Sequence, residues 1–203
     1  MENIEWKKGD NMVESKDSIL NLKDHLISDE EFMKKRLIFM EDDFDEEVCN
    51  KLKKRILYLL THDPKEPVTL YISSYGGSVY SVLQIIDLLR TRKFELTIVA
   101  LGYAMSGGAY LLLEGDRRLV YEKSTIMLHE LDGFCEGKFN EVQIDYEETK
   151  RLQDILNEFV KERTKIKNPE EFLQKDRFFN AKDAKKFGIV DKIIKKRKKV
   201  KLN

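Results

Sequence analysis

Two glycine-rich turns and one histidine carry the residue types that could do chemistry. The turns are Ser73-Ser74-Tyr75-Gly76-Gly77-Ser78 and Gly102-Tyr103-Ala104-Met105-Ser106-Gly107-Gly108-Ala109, each following an apolar run and leading into a helical pattern. Backbone N–H groups bared at a helix start are what a developing oxyanion needs, and a phosphate would use the same physics. Neither turn has the lysine-containing phosphate loop or a Gly-x-Gly-x-x-Gly spacing. A serine among glycines more often caps a helix than attacks a substrate; the histidines set Ser106 apart. His25 and His62 sit in polar stretches, whereas His129 closes the apolar run Thr125-Ile-Met-Leu-His129. An imidazole at a strand end is placed to act as general base for a serine nucleophile. Its orienting acid is expected from elsewhere, because Glu130 points to the opposite face, as does Asp132 if the strand continues.

The elements that must position these groups alternate. Arg36 to Met40, Val68 to Ile72, Leu96 to Leu101 (ending at Gly102), Thr125 to His129 and Ile189 to Ile194 read as strands. Helices are expected behind the acidic run Glu41 to Glu47, with Val48, Leu52, Ile56 and Leu59 at helical spacing, and over Val79 to Leu89, Gly107 to Glu114, Glu141 to Arg163 and Ala181 to Phe187. The acids are assigned to the helix dipole, since no metal spacing is present. The alternation is that of an α/β fold, in which ligands bind beyond the carboxyl ends of the strands, and both turns and His129 fall there. Asp17 to Leu26 reads as partly helical.

Composition narrows the classes. The chain has 203 residues, 41% hydrophobic and 36% charged, enough for one domain with its own core. Its 37 Lys and Arg balance 37 Asp and Glu, so no global field draws it to nucleic acid or an anionic membrane. The basic run Lys195 to Lys201 has no interleaved aromatics and reads as a solubilising tail. No apolar stretch approaches the roughly 20 residues that cross a bilayer. The acidic start and the pair Cys49 and Cys135 point to a reducing, cytoplasmic setting.

Five segments, in order, resemble the proteolytic subunit of the Clp protease, the ClpP family of serine peptidases. They are Phe32-Met-Lys-Lys-Arg-Leu-Ile-Phe39 (first core strand), Leu70 to Val79 (Gly-Gly oxyanion turn), Gly102 to Ala109 (nucleophile turn), Ile126-Met-Leu-His129 (histidine strand), and Asp176-Arg-Phe-Phe-Asn-Ala181 with Ala184, Gly188 and Asp191 (closing acid segment). The resemblance implies a ClpP/crotonase-like α/β fold, a repeated β-β-α spiral with a long handle helix, over residues 32–194. Residues 1–31 would be an N-terminal extension and 195–203 a basic tail.

Carried over, the resemblance makes Ser106 the nucleophile, His129 the base and Asp176 the orienting acid, with Glu171 and Asp183 as nearest substitutes because the loop before Asp176 is shorter than is typical. Gly77 and Gly107 would supply the oxyanion-hole N–H groups. Ser78, Val79, Leu131 and Asp132 would flank a peptide added as a strand. Tyr75, Gly107 and Glu130-Leu131 depart from the family's usual Pro, Met and Gln-Pro. The implied activity is endoproteolysis of unfolded polypeptides, with neither cofactor nor metal, inside stacked heptameric rings forming a tetradecamer. A separate ATP-driven unfoldase would be needed, as no ATP motif is present. Val142, Ile144, Tyr146, Leu152, Ile155, Leu156 and Phe159 cover more than one face of the long helix, as packing against partner helices requires. A catalytically weak ring subunit and a crotonase-type acyl-CoA enzyme are the competing readings, the first disfavoured by the retention of Ser106, His129 and Asp176 together and the second by the Ser–His pair.

Overall fold

The computed structural model describes residues 29–133 and 136–195. The elements run α1 (Asp29–Lys34), β1 (Leu37–Met40), α2 (Glu46–Thr61), β2 (Val68–Ser74), α3 (Val79–Arg90), β3 (Leu96–Met105), α4 (Gly107–Glu114), β4 (Arg117–Tyr121), β5 (Thr125–Leu128), α5 (Phe139–Arg163), α6 (Pro169–Phe172), β6 (Arg177–Asn180), α7 (Ala181–Lys186) and β7 (Lys192–Ile194). The expected α/β architecture holds. The expected helix at Asp17 to Leu26 and most of the basic tail lie outside the described residues.

Strands β1, β2, β3, β4 and β7 lie side by side in that order, and each neighbouring pair is parallel. Parallel strands are buried on both faces and so read as continuous apolar runs; Leu70, Ile72, Leu96, Ile98 and Ala100 are all fully buried. Their crossovers start with side-chain caps: Asp45 Oδ1 accepts from Val48 N–H at 2.7 Å at the head of α2, and Ser78 Oγ accepts from Ser81 N–H at the head of α3. Of the acidic run only Glu46 and Glu47 occupy a first turn.

Strand β3 does not end at Gly102. It runs to Met105 and forks the sheet along one edge: Thr97–Ala100 pairs with β4, then Tyr103–Met105 pairs with β5. Between the two ladders neither strand can satisfy the backbone, and buried Ser124, on the link from β4 to β5, does so instead. Its hydroxyl accepts from Gly102 N–H at 3.0 Å and donates to the Ala100 carbonyl at 3.2 Å. Strand β6 closes this branch, antiparallel to β5.

Three sequence expectations shift. Phe32 to Lys34 belong to α1 and not to the first strand, which starts at Leu37. Strands β4 and β6 were not legible: β4 opens on Arg117-Arg118, and β6 alternates exposed and buried only briefly. In α5, Leu152, Leu156 and Phe159 pack on this chain's own body, while Ile144, Tyr146 and Phe139 are exposed on the N-terminal half. The apolar set left exposed on α5 is therefore smaller than the sequence pattern implied.

Replacing Ser124 with Ala strands the buried Ala100 carbonyl and takes the side-chain acceptor from the Gly102 N–H at the fork. We expect Ser124→Ala to lower unfolding free energy by about 1–3 kcal/mol, read as a reduced denaturant midpoint with an unchanged slope.

Candidate active site

The fork brings the chemistry together. Because β3 and β5 run parallel in register, Met105 opposite Met127, their carboxyl ends emerge side by side, and Ser106 N–H donates to the Met127 carbonyl at 2.9 Å. Ser106 follows the last residue of β3 and His129 the last residue of β5. His129 Nε2 lies 2.8 Å from Ser106 Oγ. That is hydrogen-bonding distance, so the hydroxyl can hand its proton to the ring.

Ser106 sits at φ +47°, ψ −120°. A non-glycine residue is held there only when its surroundings over-determine it, and such sharp strand-to-helix turns raise a nucleophile clear of the backbone. Helix α4 supplies the restraint, since all eight of its residues are buried. Its far end is anchored by buried Glu114, whose carboxylate takes a 2.7 Å bond from Arg92 Nη1. Arg92 also donates to the Glu114 carbonyl and to Asp116.

The two glycine turns touch. A Cβ added to Gly76 would lie 2.7 Å from Ser106 Cβ and 3.0 Å from Gly107 N, so only hydrogen fits there. Gly77, at φ +124°, passes so close to Phe44 that a Cβ would meet its carbonyl oxygen at 2.7 Å. Gly107 is equally constrained: a Cβ would come within 2.6 Å of Val82 Cγ2. As the first residue of α4, Gly107 leaves its N–H unused by the helix. The turns therefore set Gly76 against Ser106 and Gly107, with Gly77 the next residue of the same turn.

What holds the Gly-Gly turn was not read from the sequence. Asp43 Oδ1 accepts from Tyr75 N–H at 2.8 Å and from Ser74 Oγ at 3.4 Å. Phe44 N–H donates to the Gly76 carbonyl at 2.6 Å, and Ser78 N–H donates to the Phe44 carbonyl at 3.0 Å. The strap is a short parallel bridge, Phe44 to Gly77. One acid of the run assigned wholly to the helix dipole thus shapes the turn; the signal was an acidic run longer than a first turn can use.

Among the peptide-flanking residues, Ser78 has little backbone to offer. Its N–H goes to Phe44 and its carbonyl accepts from Val82 N–H at 3.0 Å. Val79, the first residue of α3, keeps a free N–H as any first helical residue does. Leu131 N–H donates to Gln153 Oε1 of α5 at 2.7 Å, a tether the sequence did not disclose.

The third acid is where the expectation needs revision. Asp176 Oδ1 lies 3.9 Å from His129 Nδ1, within ion-pair range and beyond a direct hydrogen bond. Asp132 Oδ2 lies 4.0 Å from the same nitrogen. Asp132 would point away only along a continuing strand, but β5 ends at Leu128 and residues 129–133 lie in no strand. Asp183 is engaged elsewhere, accepting from Asn180 Nδ2 at 2.6 Å, and Glu171 lines a separate hollow with Lys165, Lys167 and Arg177. Among the described residues no cluster of His, Cys, Asp and Glu could hold a metal ion, and no helix is long and apolar enough to cross a membrane.

A family model described as Clp protease matches residues 23–197, a span that contains the Ser106–His129 pair, both glycine turns and the acid segment.

Asp43→Ala removes the acceptor that shapes the Gly-Gly turn without touching the core. We expect peptide or ester turnover to fall about 100-fold, the low end of the roughly 10²- to 10³-fold loss typical when one oxyanion donor is removed, with a thermal midpoint close to wild type. Turnover unchanged within twofold would show that the Phe44 strap alone holds the turn.

Proposed function

The chain belongs to the Clp protease family, and from that premise we propose that it is a serine endopeptidase acting on unfolded polypeptides. The observation that carries this reading is the 2.8 Å approach of His129 Nε2 to Ser106 Oγ at the head of a buried helix. In the proposed reaction Ser106 Oγ attacks the scissile carbonyl carbon as its proton passes to His129 Nε2. The oxyanion takes hydrogen bonds from the N–H groups of Gly77 and Gly107. The imidazolium then protonates the leaving amine, and a water, deprotonated by the same ring, releases the acyl group from Ser106. Asp176 lies on the Nδ1 side, where a carboxylate fixes the tautomer and stabilises the imidazolium. The imidazole must be neutral to act, so kcat/KM falls as acid protonates it.

The proposal extends to assembly. Helix α5 leaves Phe139, Ile144 and Tyr146 exposed at 81%, 65% and 62%. Apolar side chains lined along a projecting helix favour burial against a partner, and we read α5 as the handle on which two heptameric rings stack into a tetradecamer. A separate ATP-driven unfoldase would feed the chamber, residues 32–194 form the peptidase domain, and the setting is cytoplasmic.

Ser106→Ala should lower peptide turnover by about 10⁴- to 10⁶-fold and abolish fluorophosphonate labelling while leaving assembly unchanged; a variant retaining a tenth of wild-type activity refutes the nucleophile. By sedimentation the wild type should run as rings far heavier than its 24.0 kDa chain. Ile144→Asp should split the stacked form into single rings, because burying an unpaired charge costs several kcal/mol at each contact. A wild-type monomer at micromolar concentration contradicts the assembly.

A further inference from the structure

His129 Nδ1 faces two carboxylates at nearly equal distance, Asp176 at 3.9 Å and Asp132 at 4.0 Å. They reach it from different parts of the chain. Asp132 follows the histidine by three residues, and Asp176 comes from the segment between α6 and β6. The geometry points to Asp132 as a second orienting carboxylate for His129, sharing the Nδ1 side of the ring with Asp176. This role rests on the serine-peptidase reading above.

Two tethers hold the backbone just before Asp132, whose carboxylate is almost fully exposed. Glu130 N–H donates to the Leu173 carbonyl at 3.0 Å, and Leu131 N–H donates to Gln153 Oε1 at 2.7 Å. Gln153 is itself oriented, its Nε2 donating to Oδ1 of buried Asn157 at 2.9 Å. The bond to Leu173 serves both acids, since Leu173 lies three residues before Asp176 and Glu130 two before Asp132. The two acid-bearing segments are therefore fastened to each other beside the ring they face.

The other charges around the ring do not compete for this role. Arg177, next to Asp176, is turned away: its Nε donates to the Phe172 carbonyl at 2.8 Å and its guanidinium lies over the Phe172 ring. From α5 the side chains tied to this segment are the neutral Gln153 and Asn157, and the far ring nitrogen meets the neutral Ser106. Glu130 flanks His129 on its own segment, and among the described residues the carboxylates within ion-pair distance of His129 are those of Asp132 and Asp176.

The Nδ1–H bond can be given to one carboxylate at a time. The other remains close enough to stabilise the imidazolium through its charge, and an anion at this range favours the protonated ring. Asp132 acts through His129 without touching the substrate carbonyl, so it is a positioning residue. Losing one acid should then leave a partly competent site, unlike a triad with a single acid.

The test uses the full chain with Asp132→Asn, Asp176→Asn and the double variant. On a Ser106→Ala background, NMR titration of the His129 imidazole, assigned by its loss in His129→Gln, needs no activity. Each single Asp→Asn change is expected to lower the midpoint, and the double variant to lower it further. In steady-state peptide hydrolysis, Asp132→Asn should lower kcat about three- to tenfold with KM unchanged, and Asp132→Glu should restore it. Asp176→Asn should lower kcat about 10- to 100-fold, and the double variant about 10⁴-fold. A wild type that labels with fluorophosphonate, joined to an Asp132→Asn variant that titrates and turns over unchanged, overturns Asp132 alone. Failure of the wild type to label overturns the peptidase reading and this role with it.

Discussion

The hydrogen bond from Ser106 N–H to the Met127 carbonyl, 2.9 Å long, is the join on which the rest depends. It is the last rung of the parallel ladder between β3 and β5, and it exists because β3 outlasts β4 and takes a second neighbour. Parallel pairing makes both strands leave the sheet on the same side. The Ser106 hydroxyl at the end of one and the His129 imidazole at the end of the other then meet at 2.8 Å without any long reach of side chain. The fork is possible because a single hydroxyl, Ser124 Oγ, satisfies the two backbone groups that the diverging strands abandon. Without it the buried Ala100 carbonyl and the Gly102 N–H at the fork would lose their partner.

Around that join the packing is dictated by closeness of backbone. Helix α4 is wholly buried, its N-terminus against the Gly-Gly turn and its C-terminus closed by the Arg92–Glu114 pair. An acidic residue at a helix C-terminus opposes the macrodipole. The two-sided engagement of Arg92, with Glu114 and Asp116, compensates and pins the helix end to the start of β4. At the other end, Gly77 and Gly107 are the residues that let the Phe44 strap, α3 and α4 approach this closely. Gly107 in particular has Val82 where a side chain would go, so the departure from the family's usual Met is matched by its neighbour.

The long helix joins assembly to chemistry. Its C-terminal half belongs to the core through Leu152, Leu156, Phe159 and Val160, and its N-terminal half exposes apolar side chains. Between the two halves Gln153 holds Leu131, two residues beyond His129. Arg163, at the helix end, donates to the carbonyls of Leu113 and Gly115 at the end of α4. A helix fastened at one point to the histidine segment and at another to the nucleophile helix is a rigid element common to both halves of the site. The same helix carries the surface proposed for ring stacking, so the proposed assembly and the proposed chemistry share one mechanical part.

What the sequence determined by itself was local and periodic. Apolar runs announced β1, β2, β3 and β5; the acidic run with the apolar spacing behind it announced α2, and the pattern over Val79 to Leu89 announced α3; Gly107 to Glu114 was read with its observed boundaries. The placing of Ser106 and His129 at strand ends followed from the same patterns. Tertiary structure decided whatever depended on where a strand stops and what lies beside it. The extension of β3 past Gly102, the arginine-led β4 and the short β6 are stabilised by neighbours and not by their own propensity. The role of Asp43 required knowing that Tyr75 N–H passes within 2.8 Å of it. The approach of Asp132 required knowing that β5 ends at Leu128, because a residue of parity rules out or admits a contact only while the strand persists.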